Sequence, residues 1–263
     1  RNSSAASDVY KRQLKIFSKE SQADGYFNDG QILEKKPIGF PQDGGLLKPY
    51  SNLFYWAHAW ASKNDSIIGL HPHRGFEICS FILKGEIEHY DTLLDKWITL
   101  EEGDVQVIKA GKGISHSEKL KKGSEIFQIW FDPNLQESLY EEAQYSDFKS
   151  DNFIIKKEYG VKTKIISDIN NQIDLKSESV QIYQHLFSRG TYNHEIYQDR
   201  FHSIFIQSGI MKIKDVTYNP GDFLIVDNES SLSFEIISET KIFEIISLIK
   251  LPYKSYAEMH NLN

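Results

Sequence analysis

Leu70-His71-Pro72-His73-Arg74-Gly75-Phe76-Glu77 and, further on, Gly111-Lys112-Gly113-Ile114-Ser115-His116-Ser117-Glu118 bracket the stretch that decides the fold. Between them, Phe76-Glu77-Ile78-Cys79-Ser80-Phe81-Ile82-Leu83 runs to Gly85, and Glu86-Ile87-Glu88-His89-Tyr90 alternates beyond it. Leu94-Asp95-Lys96 turns the chain into Trp97-Ile98-Thr99-Leu100, and Glu102-Gly103-Asp104 turns it into Val105-Gln106-Val107-Ile108. Short strands recurring at about 8–12 residues predict an all-β barrel or sandwich. If these strands pair antiparallel, three imidazoles and up to two carboxylates converge, which is the pattern of a metal site.

Working outward, Leu14-Lys15-Ile16-Phe17 and Phe54-Tyr55-Trp56-Ala57-His58-Ala59-Trp60 read as further strands, and Glu125-Ile126-Phe127-Gln128-Ile129-Trp130-Phe131 closes the set before Asp132-Pro133-Asn134. Residues 135–151 are acidic and carry no turn residues, so they read as a linker with a helical turn or two. From Asn152 the pattern restarts. Ser203-Ile204-Phe205-Ile206-Gln207-Ser208-Gly209 echoes the strand before Gly85, and Pro220-Gly221-Asp222-Phe223-Leu224-Ile225-Val226 echoes the strand after Gly103-Asp104. The repeat predicts two β-barrels in tandem: residues 14–134, the linker 135–151, and residues 152–263. Asp8-Val9-Tyr10-Lys11-Arg12-Gln13 reads like a translated sequencing adapter, and residues 1–13 are expected to form a non-native or disordered tail.

Composition narrows the function. A formal charge of −7 and a pI near 5.7 argue against direct contact with nucleic acid. No apolar run approaches the roughly 18 residues of a membrane span, and no signal peptide is expected. The single Cys79 excludes an internal disulfide, which suits a reducing cytoplasm. No phosphate-binding loop, dinucleotide fingerprint or nucleophile elbow is present.

On a strand, residues two apart face the same way, so His71 projects with His73, and His116 with Glu118. Such pairs on neighbouring strands suit a borderline divalent ion with open positions. Glu77 shares the parity of His71 and His73 and competes with Glu118 as the fourth ligand. The carboxylate that loses is expected to orient an imidazole, and the residues alone do not choose between them. The second copy has no His-x-His, so the second barrel is expected to lack metal ligands, with His185, His194 and His202 packed or on the surface. His58 reads as packed or exposed, Cys79 as a buried structural thiol, and Lys119-Leu120-Lys121-Lys122 as a solvated turn.

Taken together, His71-Pro72-His73-Arg74-Gly75-Phe76-Glu77, Gly85-Glu86-Ile87-Glu88-His89, Gly103-Asp104-Val105-Gln106, Ala110-Gly111-Lys112-Gly113-Ile114-Ser115-His116-Ser117-Glu118 and Gln128-Ile129-Trp130 resemble the signature of the pirin family, over roughly residues 53–134. The resemblance implies a bicupin: two tandem cupin-type barrels with one metal in the first, held by His71, His73, His116 and Glu118, leaving Glu77 outside. Iron(II) is the ion the family implies, while the ligand types also suit manganese, cobalt, nickel, copper and zinc. It further implies a dioxygenase acting on a flavonoid-like substrate with O2, opening the flavonol ring of quercetin. There Glu118 would take the proton of a flavonol hydroxyl, and Trp56, Trp60 or Phe76 could wall the substrate. The same ligands would serve an iron-dependent redox sensor or transcriptional co-regulator that acts on a protein partner. A cupin acting on an enediol or dicarbonyl would call for a cation in the barrel, and Arg74 is the nearby candidate.

Overall fold

The computed structural model describes residues 13–170 and 173–262. Residues 1–12, which hold nearly all of the expected tail, lie outside that range, as do 171–172 and 263.

Among the described residues every strand pairing is antiparallel, and the strands form three sheets. A seven-stranded sheet runs in the order Gln144–Phe148, Val105–Lys109, Glu77–Lys84, Glu125–Phe131, Leu53–Ala61, Ile32–Ile38 and Ala23–Phe27. A four-stranded sheet runs Ser66–His73, Ile114–Leu120, Glu86–Asp91, Lys96–Glu101. The two close on each other around Ile32, Ala59, Ile82, Ile87, Leu120 and Ile126, giving the first barrel. The period-2 pattern explains how. In Leu53–Ala61, Ala59 and Ala61 face that interior while Trp56, of opposite parity, faces away.

The second barrel is a nine-stranded sheet built on two long strands, Arg200–Ile213 and Ser231–Leu248. Register shifts between Ile206 and Met211 bend the first of them across its partner. The repeat is visible in the backbone. Ile82 N–H donates to Asp104 O and Gly103 N–H to Ile82 O, while Ile206 N–H donates to Asp222 O and Gly221 N–H to Ile206 O. The fold is therefore two cupin-type barrels in tandem.

Three segments tie the barrels together. Gln13–Phe17 pairs with Phe223–Asp227, so the described chain begins on the second barrel's sheet before entering the first. Gln144–Phe148, inside the stretch read as a linker, is an edge strand against Val105–Lys109, and it follows a single helical turn at Leu135–Ser138. At the far end, Tyr256–Met259 packs back on the first barrel, with Tyr256 against Phe54 and Phe76 at 5.4 and 5.5 Å. The shared core joins Trp56, Phe81 and Phe127 to Phe205, Phe223 and Phe243.

Asp132 fastens the C-terminal segment: its carboxylate accepts from Tyr256 N–H and its carbonyl from Tyr253 Oη–H at 2.8 Å. Burial pushes its carboxyl up to about 7, and Oδ1 has no partner. The folded state thus holds a proton that the unfolded chain releases near its ordinary 3.8. Stability from this group is complete below that value and is lost as pH rises through 7. Wild type is expected to lose on the order of 2 kcal/mol between pH 4 and 8 from this group, and Asp132→Asn to lose that part of the slope. Denaturant melts of both proteins at the two pH values check this; parallel slopes would contradict it.

Candidate metal centre

Ser66–His73 and Ile114–Leu120 are neighbours, with His71 directly opposite His116 and His73 opposite Ile114. His73 and His116 are buried, and His71 is partly exposed at the barrel mouth. The Nε2 atoms of His73 and His116 lie 2.8 Å apart, and those of His116 and His71 lie 3.0 Å apart. His71 Nδ1 sits 2.7 Å from Gly69 O and donates to it, which leaves the Nε2 lone pair pointing at its neighbours. One N–H on His116 cannot point at both partners, so these contacts leave lone pairs crowded together. A cation at the centre relieves that crowding, and three imidazole nitrogens are the donors a borderline divalent ion takes. Burial, reinforced by the neighbouring imidazoles, lowers His73 to about 3 and His116 to about 2. Both rings are therefore neutral, the form that binds a metal. The residues present fit a divalent ion.

Glu118 stands beside this trio. Its ligand atoms group with those of His116 and His89 within 4.8 Å, while His71 and His73 group with His116. The carboxylate is fully buried and held from the opposite sheet: Ser80 Oγ donates to Oε1 at 3.0 Å and Gln128 Nε2 to Oε2 at 2.5 Å. Trp130 Nε1–H donates to Gln128 Oε1 at 3.3 Å, which fixes the amide with its NH2 towards Glu118. The pairing of Ile114–Leu120 with Ser66–His73 slips between His116 and Glu118, so the two residues do not share a simple common register.

Glu77 goes elsewhere. It accepts from Lys176 N–H at 2.7 Å, from Ser177 N–H at 2.8 Å and from Ser177 Oγ at 2.6 Å, and so anchors a loop of the second half. Burial nevertheless raises its carboxyl above the ordinary range.

Sequence reasoning missed several residues here. His89 sits opposite Glu118, donates from Nε2 to Asp91 at 2.8 Å, and accepts at Nδ1 from Gln106 at 3.0 Å. Both nitrogens are engaged, so it backs the site. Trp130 packs edge-on against His73 at 4.8 Å, and Phe76 lies 5.9 Å from it. Of the expected walls, Phe76 is near the site. Trp56 is in the shared core instead, and Trp60 lies by His58 and Lys19. His58 pairs with Glu125 at 3.4 Å, and Arg74 is exposed. Cys79 is buried, and burial pushes its thiol well above the usual range. Lys119 and Lys121 both pair with Glu88 at 3.0 Å.

The loop leading into His116 needs its glycine. Gly111 has φ +49°, and a Cβ there would meet Glu141 O at 2.4 Å, so the 141–143 backbone can lie against the loop only if residue 111 has no side chain.

The family model for pirin matches residues 44–131, the span that carries all four of these candidate ligands. Over these residues the chain is similar to the pirin family. The chain is also similar to the quercetin 2,3-dioxygenase of Escherichia coli K12, 26% identical over 192 residues, which covers 68% of this chain and 78% of that protein. The fold is similar to that of the Escherichia coli pirin YhhW solved with nickel(II), with TM-score 0.71 and 19% identity over 90% of this chain and 99% of that one. It is also similar to a quercetin 2,3-dioxygenase from Acinetobacter baumannii, with TM-score 0.74 and 12% identity over 89% and 79% of the two chains. Among the described residues no helix is long and apolar enough to cross a membrane.

Proposed function

We propose that this protein is a pirin-like, metal-dependent dioxygenase that opens the ring of a flavonol of the quercetin type, using His71, His73, His116 and Glu118 as ligands. The observation that carries the reading is the convergence of three Nε2 atoms at 2.8 and 3.0 Å beside a buried carboxylate. The naming of relatives as quercetin dioxygenases supports the choice of substrate class. A bound divalent ion, iron(II) first among the candidates, supplies the Lewis acidity that acidifies a flavonol hydroxyl and open positions for small ligands.

The chain's own residues do the rest. His71 at the mouth leaves one side of the site reachable from solvent. Glu118 is the base in this reading: its two oxygens, held by Ser80 and Gln128, can receive a hydroxyl proton. Trp130 presents aromatic surface next to His73, with Phe76 packed behind it at 5.9 Å, which suits a planar substrate. Buried neutral imidazoles keep competing protons out of the site over the ordinary pH range.

Because Gln128 aims Glu118, Gln128→Leu is expected to weaken metal binding by about 10- to 100-fold while leaving the fold intact. Competition with a chelator reads this directly, and unchanged affinity would remove Gln128 from the account. The reading itself is tested by mixing iron-loaded protein with quercetin in air and under argon. Loss of the flavonol absorbance in air alone, together with released carbon monoxide, is the expected result. No turnover with the metal fully bound would turn the reading towards a redox sensor or a different small substrate.

A further inference from the structure

The three histidines of the second barrel, expected to be packed or on the surface, converge on one carboxylate. His185 Nε2 lies 3.1 Å from Glu244 Oε2, His194 Nε2 lies 3.0 and 3.1 Å from the two oxygens, and His202 Nδ1 lies 2.7 Å from Oε1. Glu244 is 1% exposed, and among the described residues its ion-pair partners are these three imidazoles. The cluster opens into a pocket of about 470 Å³ that is also lined by Tyr183, Phe187, Tyr192 and Tyr197.

The cluster does not copy the first site. Leu120 pairs with Ile87, two residues past Gly85, and Ile236 pairs with Met211, two past Gly209. Counting back along each strand, Phe234 stands where Glu118 does and Leu232 where His116 does. His194, opposite Leu232, then takes the place of His71. Glu244 follows Phe243, which pairs with Phe205, as Gln128 follows Phe127, which pairs with Phe81. The second barrel has lost two ligand positions to apolar residues. In place of the amide that holds Glu118 it carries a carboxylate, and around that carboxylate two further imidazoles.

We propose that this cluster is a second divalent-metal site, with Glu244 and His194 as ligands already within 4.8 Å of each other, His185 turning in as the third, and His202 holding the carboxylate in place. The hydrogen bonds assign the roles. Tyr197 N–H donates to His202 Nε2 at 2.9 Å, so the proton of His202 stays on Nδ1 and is given to Glu244. His185 Nδ1 lies 2.9 Å from Thr163 Oγ1, which can accept its N–H and leave the Nε2 lone pair for a metal. His194 is 19% exposed at the pocket, where water can serve its other nitrogen. Two imidazoles and a carboxylate with open positions facing a pocket are a set that binds divalent iron, cobalt or manganese. The site shares no residue with the first-barrel centre.

The test uses the full chain, stripped with chelator, reloaded with excess cobalt(II) and desalted, with metal per chain read by mass spectrometry and by the visible cobalt spectrum. Wild type is expected to hold two ions, and His116→Ala, His185→Ala and His194→Ala one each. The double variant His116→Ala/His194→Ala should hold none. His202→Ala should keep the second ion but weaken it about 10-fold or more. One ion in wild type that His116→Ala removes and His194→Ala leaves untouched overturns the proposal. One ion that His194→Ala removes and His116→Ala does not would uphold it and sink the first-barrel reading instead. Because His194 lies on the short outer strand Gly190–Glu195, its replacement spares the core.

Discussion

Replacing His73 with alanine is expected to remove the proposed first-barrel ion and the proposed oxygenase activity together, while the protein still unfolds cooperatively. His73 faces His116 at 2.8 Å and contributes one of three imidazole nitrogens to a site whose remaining pair, His71 and His116, is 3.0 Å apart. Two imidazoles and a carboxylate still offer donors, so the expected loss is at least about 100-fold in affinity. Truncation also relieves a buried, uncompensated crowding, so stability without metal is expected to hold or rise slightly. Metal analysis and a thermal melt on the same preparation check both halves. Activity that survives complete metal loss would end the proposed mechanism.

Trp56→Ala is expected to be the most destabilising single substitution considered, by about 3–5 kcal/mol. The indole is fully buried between the barrels, edge-on to Phe127, Phe223 and Phe243 at 5.5, 5.1 and 5.7 Å. The two sheets that meet there cannot collapse into the space without disturbing both barrels. Trp56→Phe should cost much less, because the indole N–H is buried with no partner and its loss removes an unmet donor. Denaturant unfolding followed by fluorescence and circular dichroism reads both variants. An unchanged midpoint for Trp56→Ala would mean that the shared core does not couple the barrels.

The sequence carries some of this site plainly and hides the rest, for physical reasons. His71, His73 and His116 are legible because period-2 pairs on adjacent strands must face one interior, and the structure does bring the three together. The choice between Glu77 and Glu118 is not legible from parity. It depends on Ser177 arriving from 100 residues away to bind one carboxylate, and on Ser80 and Gln128 crossing the barrel to bind the other. The tandem barrels show through Gly85-Glu86 and Gly209-Ile210, since turn chemistry is local. The pairing of Gln13–Phe17 with Phe223–Asp227 is non-local and leaves no trace in either segment. The cluster at Glu244 is hidden for a similar reason. Its four side chains come from four strands, and no two of them are two residues apart.

The anomalous difference map of a crystal soaked in manganese(II) or iron(II), recorded at the metal's absorption edge, tests the central claim most directly. A peak is expected within bonding distance of the Nε2 atoms of His71, His73 and His116, with the Glu118 carboxylate turned to it. A first barrel with no peak there, or with the ion bound at Glu77, would contradict it.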